Sequence, residues 1–229
     1  MLVPDPPAML KVVPLYVYPN DGVAKLQYLQ PINYAMRIVQ GWYAGKLQGK
    51  TFSLEDARVV KSAHNLDFYQ YKNCGEFGSW EVLADAVRSS NILLDQTIAI
   101  GFIEGWEPSN CGGQGGGGSN MAEISSWAWD DFIPDTPYPS NDGTDFAHYS
   151  IQVVAHELGH AFGLGGDQWE DPCLMGHRNS NDDINECILN TSERRILLNN
   201  PFFTDVLSFI LNGKLDRSFR VGRFRVPYS

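Results

Sequence analysis

Long apolar runs and basic charge are both scarce in this chain of 229 residues. No run reaches the roughly 18 apolar residues that a membrane-spanning helix needs, so we expect none. Lysine and arginine number 17 against 27 aspartates and glutamates, a formal net charge of -10 at pH 7. An acidic surface repels nucleic acid and anionic membranes, so we expect neither as a partner. Internal repeats and breaks in composition are also lacking, which favours a single domain over residues 1–229.

Cysteine is sparse as well, with only Cys74, Cys111, Cys173 and Cys187. An even number is typical of two disulfides in an exported protein, and three pairings are possible. We favour Cys74 with Cys111 and Cys173 with Cys187, because the second pair closes a short loop. The alternative is four free thiols in a cytosolic protein. We therefore expect a secreted protein, although residues 1–14 carry no apolar signal-peptide core.

Helical and strand patterns alternate along the chain and predict an α/β fold. Runs of β-branched and aromatic residues predict strands at residues 11–18, 57–63 and 97–103, and a shorter one at 121–127. Apolar periodicity predicts helices at residues 27–47, 80–92 and 144–162, and a last one from about residue 191. The six glycines of residues 111–120 indicate either a flexible surface loop or a loop that borders a binding groove.

Residues 156–160 have the sequence His-Glu-Leu-Gly-His. Positions i and i+4 lie on one face of a helix, so His156 and His160 can both bind one metal ion. The carboxylate of Glu157 can reach a water molecule on that ion without binding the ion itself. Because Zn²⁺ lowers the pKa of such a water to about 7, Glu157 can act as its base. The pattern predicts attack on a peptide carbonyl; two surface histidines on an amphipathic helix are the alternative.

A catalytic zinc site normally has three protein ligands and a water molecule. The third ligand must come from beyond the helix, and Gly163 allows the sharp turn that this requires. Several residues after the turn have suitable side chains. They are Asp167, Glu170, Asp171, Cys173 and His177.

The run over residues 153–175 resembles the metzincin clan of zinc peptidases. The clan pattern is HExxHxxGxx followed by His or Asp, and then a methionine in a tight turn below the metal. The residues that match are His156, Glu157, His160 and Gly163.

The third-ligand position departs from the metzincin pattern. Strict spacing falls on Gly166, which has no side chain to bind a metal. Asp167 lies one residue later and eight residues before Met175, which is the matrixin distance, and snapalysin-like metzincins use an aspartate here. The resemblance therefore implies Asp167 as the third zinc ligand.

Two further roles follow from the resemblance. Met175 would form the hydrophobic floor below the histidines without binding the metal. His177 stands where astacins and serralysins have a tyrosine, so it would donate a hydrogen bond to the oxyanion. An ordinary loop histidine is the alternative.

For the whole chain, the resemblance implies an α/β (α+β) metzincin-like zincin catalytic domain. A mixed, twisted sheet and the active-site helix would form an upper lobe of residues 1–163. Residues 164–229 would form a small C-terminal lobe with the Met turn and the last helix. A protein or peptide substrate would lie extended in the cleft and pair with the strand at residues 121–127.

The implied activity is that of a monomeric, zinc-dependent endopeptidase. The alternative is a non-catalytic binding protein on the same scaffold, with a structural or blocked zinc site, and the unusual third-ligand spacing favours it. Ca²⁺ is compatible with the aspartates and asparagines of loops such as residues 179–183. No ligand spacing typical of a calcium site supports it.

Overall fold

The computed structural model describes residues 10–71, 78–105, 115–129, 146–166, 174–176, 184 and 187–205. The strands in these ranges are β1 Lys11–Tyr18, β2 Lys50–Leu54, β3 Arg58–Lys61, β4 Thr97–Ile103, β5 Gly115–Gly118, β6 Met121–Ser125 and β7 Phe203–Asp205. The helices are α1 Leu29–Lys46, α2 Leu66–Tyr71, α3 Gly78–Ser89, α4 Ser126–Trp129, α5 Phe146–Ala161 and α6 Thr191–Asn199. A 3-10 turn, Leu26–Tyr28, precedes α1.

The strands form one mixed sheet in the order β5-β6-β4-β1-β2-β7, and β3 pairs with β1 beside β2. Strands β1, β2, β3, β4 and β6 run parallel to one another. Strand β5 is antiparallel to β6, and β7 is antiparallel to β2. The central parallel strands are therefore bordered by an antiparallel strand on each side.

Alternate residues of the central strands supply two separate apolar cores, as expected for parallel strands covered on both faces. On one face, residues such as Tyr16, Ile100 and Ile124 pack with α1 and α5. On the other face, residues such as Leu15 and Ala99 pack with α3. Helix α5, which carries the predicted zinc ligands, therefore belongs to the larger of the two cores.

Tyr43 ties α1 to α5. It is fully buried, and its hydroxyl donates a 2.8 Å hydrogen bond to the carbonyl oxygen of Ala155, the residue before His156. Burial raises the pKa of Tyr43 well above its ordinary value, and the nearby Glu193 and Cys187 add to the shift. The hydroxyl therefore remains a donor at neutral and moderately alkaline pH.

Most of the predicted elements are confirmed. The strands at residues 11–18 and 97–103 have the predicted bounds, and the predicted helices correspond to α1, α3, α5 and α6. Pro31 lies in the first turn of α1, where its missing N–H costs little. Strands β2 and β7, which are short and pair with each other, were not predicted. Among the described helices, none is long and apolar enough to cross a membrane.

Replacing Tyr43 with phenylalanine tests the tie between α1 and α5. Tyr43→Phe removes only the hydroxyl and leaves the Ala155 carbonyl without this donor, so the free energy of unfolding should fall by about 1 kcal/mol. Tyr34→Phe is the control, since Tyr34 lies on the same helix but is 48% exposed. Urea denaturation measures both. Equal stability of the two variants would show that the hydrogen bond contributes nothing.

Candidate functional site

Helix α5 ends in a glycine turn directly after the second histidine. The N–H of Gly163 donates to the carbonyl of His160, and that of Leu164 donates to the carbonyl of Gly159, both at 2.9 Å. Gly163 has a φ of +89°, a left-handed conformation that favours glycine. The turn therefore satisfies the last carbonyls of the helix and redirects the chain, as the sequence predicted.

The structure brings together His156, Glu157 and His160. Their potential ligand atoms all lie within 4.8 Å of one another. The two imidazole rings are 4.8 Å apart between centroids and nearly perpendicular, at 86°. Since zinc–nitrogen bonds are about 2.0–2.1 Å long, this spacing is on the scale of one ion and its bound water. The three side chains therefore fit a zinc site, although their roles there stay a prediction.

A hydrogen bond to the backbone fixes the orientation of the His156 ring. Nδ1 of His156 lies 2.8 Å from the carbonyl oxygen of Leu174. Because a carbonyl can only accept, Nδ1 must carry the proton, which puts the lone pair on Nε2. A histidine that binds a metal commonly uses its other nitrogen in this way. Leu174 was not among the predicted site residues, because a backbone contact leaves no mark on the sequence.

Leu174 and Met175, in the expected methionine turn, pack against α5, and the role of Met175 below the metal stays a prediction. Met175 is 2% exposed and Leu174 is fully buried. A Cβ atom on Gly159 would lie only 2.8 Å from the Met175 sulfur. The absence of a side chain at Gly159 therefore lets the turn approach the helix one residue before His160.

Strand β5 lies on the same segment of the helix from another side. A Cβ atom on Gly117 would collide with the carbonyl oxygen of Glu157 and lie 2.8 Å from Cβ of His160. The flexible-loop interpretation is therefore wrong for Gly115–Gly118, which form a strand. The alternative interpretation, a segment bordering the candidate site, agrees with this contact.

The substrate-binding role expected for residues 121–127 is wrong. Strand β6 covers only Met121–Ser125, and Ser126–Trp129 continue as helix α4. One edge of β6 pairs with β4 and the other with β5. Strand addition needs an unpaired edge, so β6 cannot offer it along these residues. Strand β5 could not be predicted from the sequence, because a run of glycines lacks the β-branched and aromatic residues typical of strands.

Several predicted residues lie outside the described residues. They are Asp167 and His177, the other third-ligand candidates Glu170, Asp171 and Cys173, the calcium candidates at 179–183, and Cys74 and Cys111. Their predicted roles, including both disulfides, stay predictions. Cys187 is described and is 2% exposed.

His64 is placed away from the candidate site. Its Nε2 lies 2.8 Å from a carboxylate oxygen of Asp85, and its ring stacks on Phe68 at 3.8 Å. Asp85 belongs to α3, which covers the face of the sheet opposite α5. His64 therefore cannot supply the third ligand.

Comparison with known proteins shows likeness in structure only. No protein-family model matches the sequence, and no curated protein matches it. A crystal structure of OgpA from Akkermansia muciniphila superposes with a TM-score of 0.61 at 17% identity, covering 86% of this chain and 62% of OgpA. Archaemetzincin from Methanopyrus kandleri gives a TM-score of 0.50 at 17% identity, covering 87% of this chain and 98% of that protein.

The fold is that of a zincin-like metallopeptidase. At 17% identity the likeness establishes the fold and not the activity. The chain spans about three-fifths of the length of OgpA. A further OgpA structure, of a catalytically inactive form, holds an O-glycopeptide substrate.

Replacing Gly117 with alanine tests the contact between β5 and the candidate site. The added methyl group must displace either β5 or α5, so Gly117→Ala should lower the free energy of unfolding by roughly 1–3 kcal/mol. Zinc affinity should also fall, because His160 is one of the groups displaced. Thermal unfolding and a zinc competition titration measure the two effects.

Gly45→Ala is the matched control for Gly117→Ala. Gly45 lies in α1, and a Cβ there meets nothing within 4 Å. This change should leave zinc affinity alone and stabilise the protein by up to about 1 kcal/mol through helix propensity. If Gly117→Ala behaved like Gly45→Ala, the close approach of β5 would be refuted.

Proposed function

We propose that this protein is a zinc-dependent endopeptidase. The observation that carries the proposal is the gathering of two imidazoles and one carboxylate within 4.8 Å on α5. The Leu174 carbonyl supports it, because it holds His156 in the tautomer that a metal ligand needs. The zincin-like fold supports it further, since this arrangement sits on the scaffold of known zinc peptidases.

His156 and His160 would hold the metal, with Asp167 as the third ligand. When bound, zinc would supply Lewis acidity, which lowers the pKa of water to about 7 and polarises a carbonyl. Glu157 would take a proton from the attacking water and later return it to the leaving amine. Glu157 is 7% exposed, so its carboxylate works with little competing solvent. We also propose that His177 donates a hydrogen bond to the oxyanion.

The substrate would be a protein or peptide lying extended beside α5. Among the described strands, β5 is the last of the sheet order next to the site, so its side away from β6 is the candidate edge for this substrate. Glycines at Gly115–Gly118 let a substrate backbone approach closely. OgpA, which shares the fold, was solved with an O-glycopeptide, so plain and O-glycosylated peptides both belong in the first substrate screen.

Three further proposals concern the location of the protein, its oligomeric state and its disulfides. We propose that it is secreted, that it is a monomer, and that its four cysteines form two disulfides. A mass measurement with and without reduction tests the disulfides directly.

Variants of the two central residues separate catalysis from metal binding. Glu157→Ala should keep zinc but lower the rate of casein cleavage by about 10²–10⁴-fold, because the base is lost. His160→Ala should lose both zinc and activity. Metal analysis and a protease assay with chelator and zinc readdition measure the two properties.

The carboxylate control is Glu55→Ala, since Glu55 pairs with Lys11 and Arg58 at the surface. It should keep zinc and activity. A Glu157→Ala protein that cleaved casein at the parent rate would refute the mechanism. Zinc bound without cleavage of any substrate by the parent protein would favour the binding-protein alternative.

The third ligand is tested by comparing the carboxylates that follow the glycine turn. Asp167→Ala should weaken zinc binding by more than the roughly 10–100-fold that the loss of an outer partner costs. Glu170→Ala and Asp171→Ala should leave it within a few-fold of the parent. Competition with a chelating dye measures all three, and a large loss at Glu170 or Asp171 instead would reassign the ligand.

A further inference from the structure

The side chain of Asn200 is hydrogen-bonded to the glycine turn that ends α5. Its Nδ2 donates to the carbonyl oxygen of Phe162 at 2.8 Å, between residues 38 positions apart in the chain. The N–H of the same peptide unit, which belongs to Gly163, donates to the carbonyl oxygen of His160 at 2.9 Å. The peptide unit between Phe162 and Gly163 is therefore held at both ends, once by the helix and once by Asn200.

The orientation of this peptide unit sets the direction in which the chain leaves the helix. It is defined by ψ of Phe162 and by φ of Gly163, which is +89°. Because these dihedrals are the soft ones of the backbone, a rotation about them would displace the residues that follow. Asp167, the proposed third zinc ligand, follows Gly163 by four residues. A hydrogen bond that fixes the turn therefore also restricts the position of that carboxylate.

Asn200 is itself held in place, because each of its four polar groups has a hydrogen-bond partner. Its N–H donates to the carbonyl of Leu197 at 3.1 Å, and its own carbonyl accepts from the N–H of Phe203 at 3.0 Å. Its side-chain oxygen accepts from the N–H of Phe202 at 2.9 Å. Since that N–H can only donate and the Phe162 carbonyl can only accept, a single orientation of the side-chain amide satisfies both.

The connection continues from Asn200 to the edge of the sheet. Phe203, three residues later, begins β7 and pairs with Phe52 of β2. The rings of Phe203 and Phe52 also pack on the ring of Phe162, with centroids 4.7 and 5.3 Å away. All three phenylalanines are buried, so the hydrogen bond to Phe162 has apolar neighbours, which strengthen it. The glycine turn is thereby connected to the sheet.

The neighbouring asparagine shows what a purely local hydrogen bond looks like. Asn199 also donates from Nδ2 to a backbone carbonyl at 2.8 Å, but the acceptor is Arg195 of the same helix, and the bond is exposed. The bond of Asn199 stays within α6. The bond of Asn200 joins two segments that lie on either side of the methionine turn in the sequence.

We propose that Asn200 is a positioning residue for the metal site, which fixes the glycine turn so that the third ligand reaches the zinc. The inference rests on the proposed function. Asn200 would contact neither the metal nor the substrate and would act through the peptide unit between Phe162 and Gly163. The end of α6 and the start of β7 would then determine the geometry of the metal site.

Asn200→Asp tests the hydrogen bond to the turn selectively. The carboxylate keeps an oxygen for the N–H of Phe202, but it places a second oxygen without a proton against the carbonyl of Phe162. At pH 7 the variant should bind zinc about tenfold more weakly than the parent, or weaker still, as for the loss of an outer partner. Competition with a chelating dye measures the dissociation constant. The absorption spectrum of the Co²⁺-loaded protein, which depends on coordination geometry, should also change.

Asn199→Asp is the matched control. It makes the same substitution one residue earlier and removes only the donor to the Arg195 carbonyl. This variant should keep the zinc affinity and the Co²⁺ spectrum of the parent. A lower Tm in Asn200→Asp, with zinc affinity and Co²⁺ spectrum like those of the parent, would show a structural role alone and overturn the inference.

Asn200→Ala serves if the added charge of Asn200→Asp prevents folding. It removes the donor without adding repulsion, so zinc binding should still weaken and the Co²⁺ spectrum should still change. Parent values for both in this variant would overturn the inference.

Metal binding separates failure of the inference from failure of the proposed function, because none of these measurements needs cleavage. A parent protein that binds zinc and cleaves no peptide would contradict the endopeptidase proposal, and weaker zinc binding in Asn200→Asp would still support the role of Asn200. A parent that binds no zinc would overturn both. A parent that cleaves peptides, with equal zinc affinity in Asn200→Asp, would overturn the inference alone.

Discussion

Helix α5 is packed closely by two segments, and a glycine allows the close approach at each contact. Strand β5 contacts it at Gly117, and the methionine turn contacts it at Gly159. Both contacts fall within the five residues that carry the two histidines and the glutamate. Because packed interiors tolerate little displacement, these contacts restrict where the side chains of the site can lie. The candidate site is therefore positioned by the main chain of β5 at Gly117 and by the side chains of Leu174 and Met175 at Gly159, as well as by its own side chains.

Hydrogen bonds orient the groups of α5 that this packing positions. The Leu174 carbonyl fixes the proton of His156, and Tyr43 bonds the carbonyl that precedes it. One bond comes from the methionine turn and the other from α1, so elements far apart in the sequence meet at one histidine. Preorganisation of this kind lowers the cost of assembling a metal site and keeps its ligands in one geometry.

The central strands, the main helices and the His-Glu-His cluster could be predicted from sequence because each depends on local periodicity or spacing. β2, β5 and β7 could not, since short strands are stabilised by partners that the sequence does not reveal. The glycines of β5 gave a loop-like composition, although β5 is the last strand of the described sheet order. Because β5 was not predicted, β6 was expected to be the strand that pairs with the substrate.

A crystal of the zinc-loaded protein, measured on both sides of the zinc absorption edge, tests the central claim most directly. The account predicts one anomalous peak within bonding distance of Nε2 of His156, of a ring nitrogen of His160 and of a carboxylate oxygen of Asp167, with the Glu157 carboxylate outside bonding distance. An anomalous peak elsewhere, or none between the two imidazoles at saturating zinc, would contradict it.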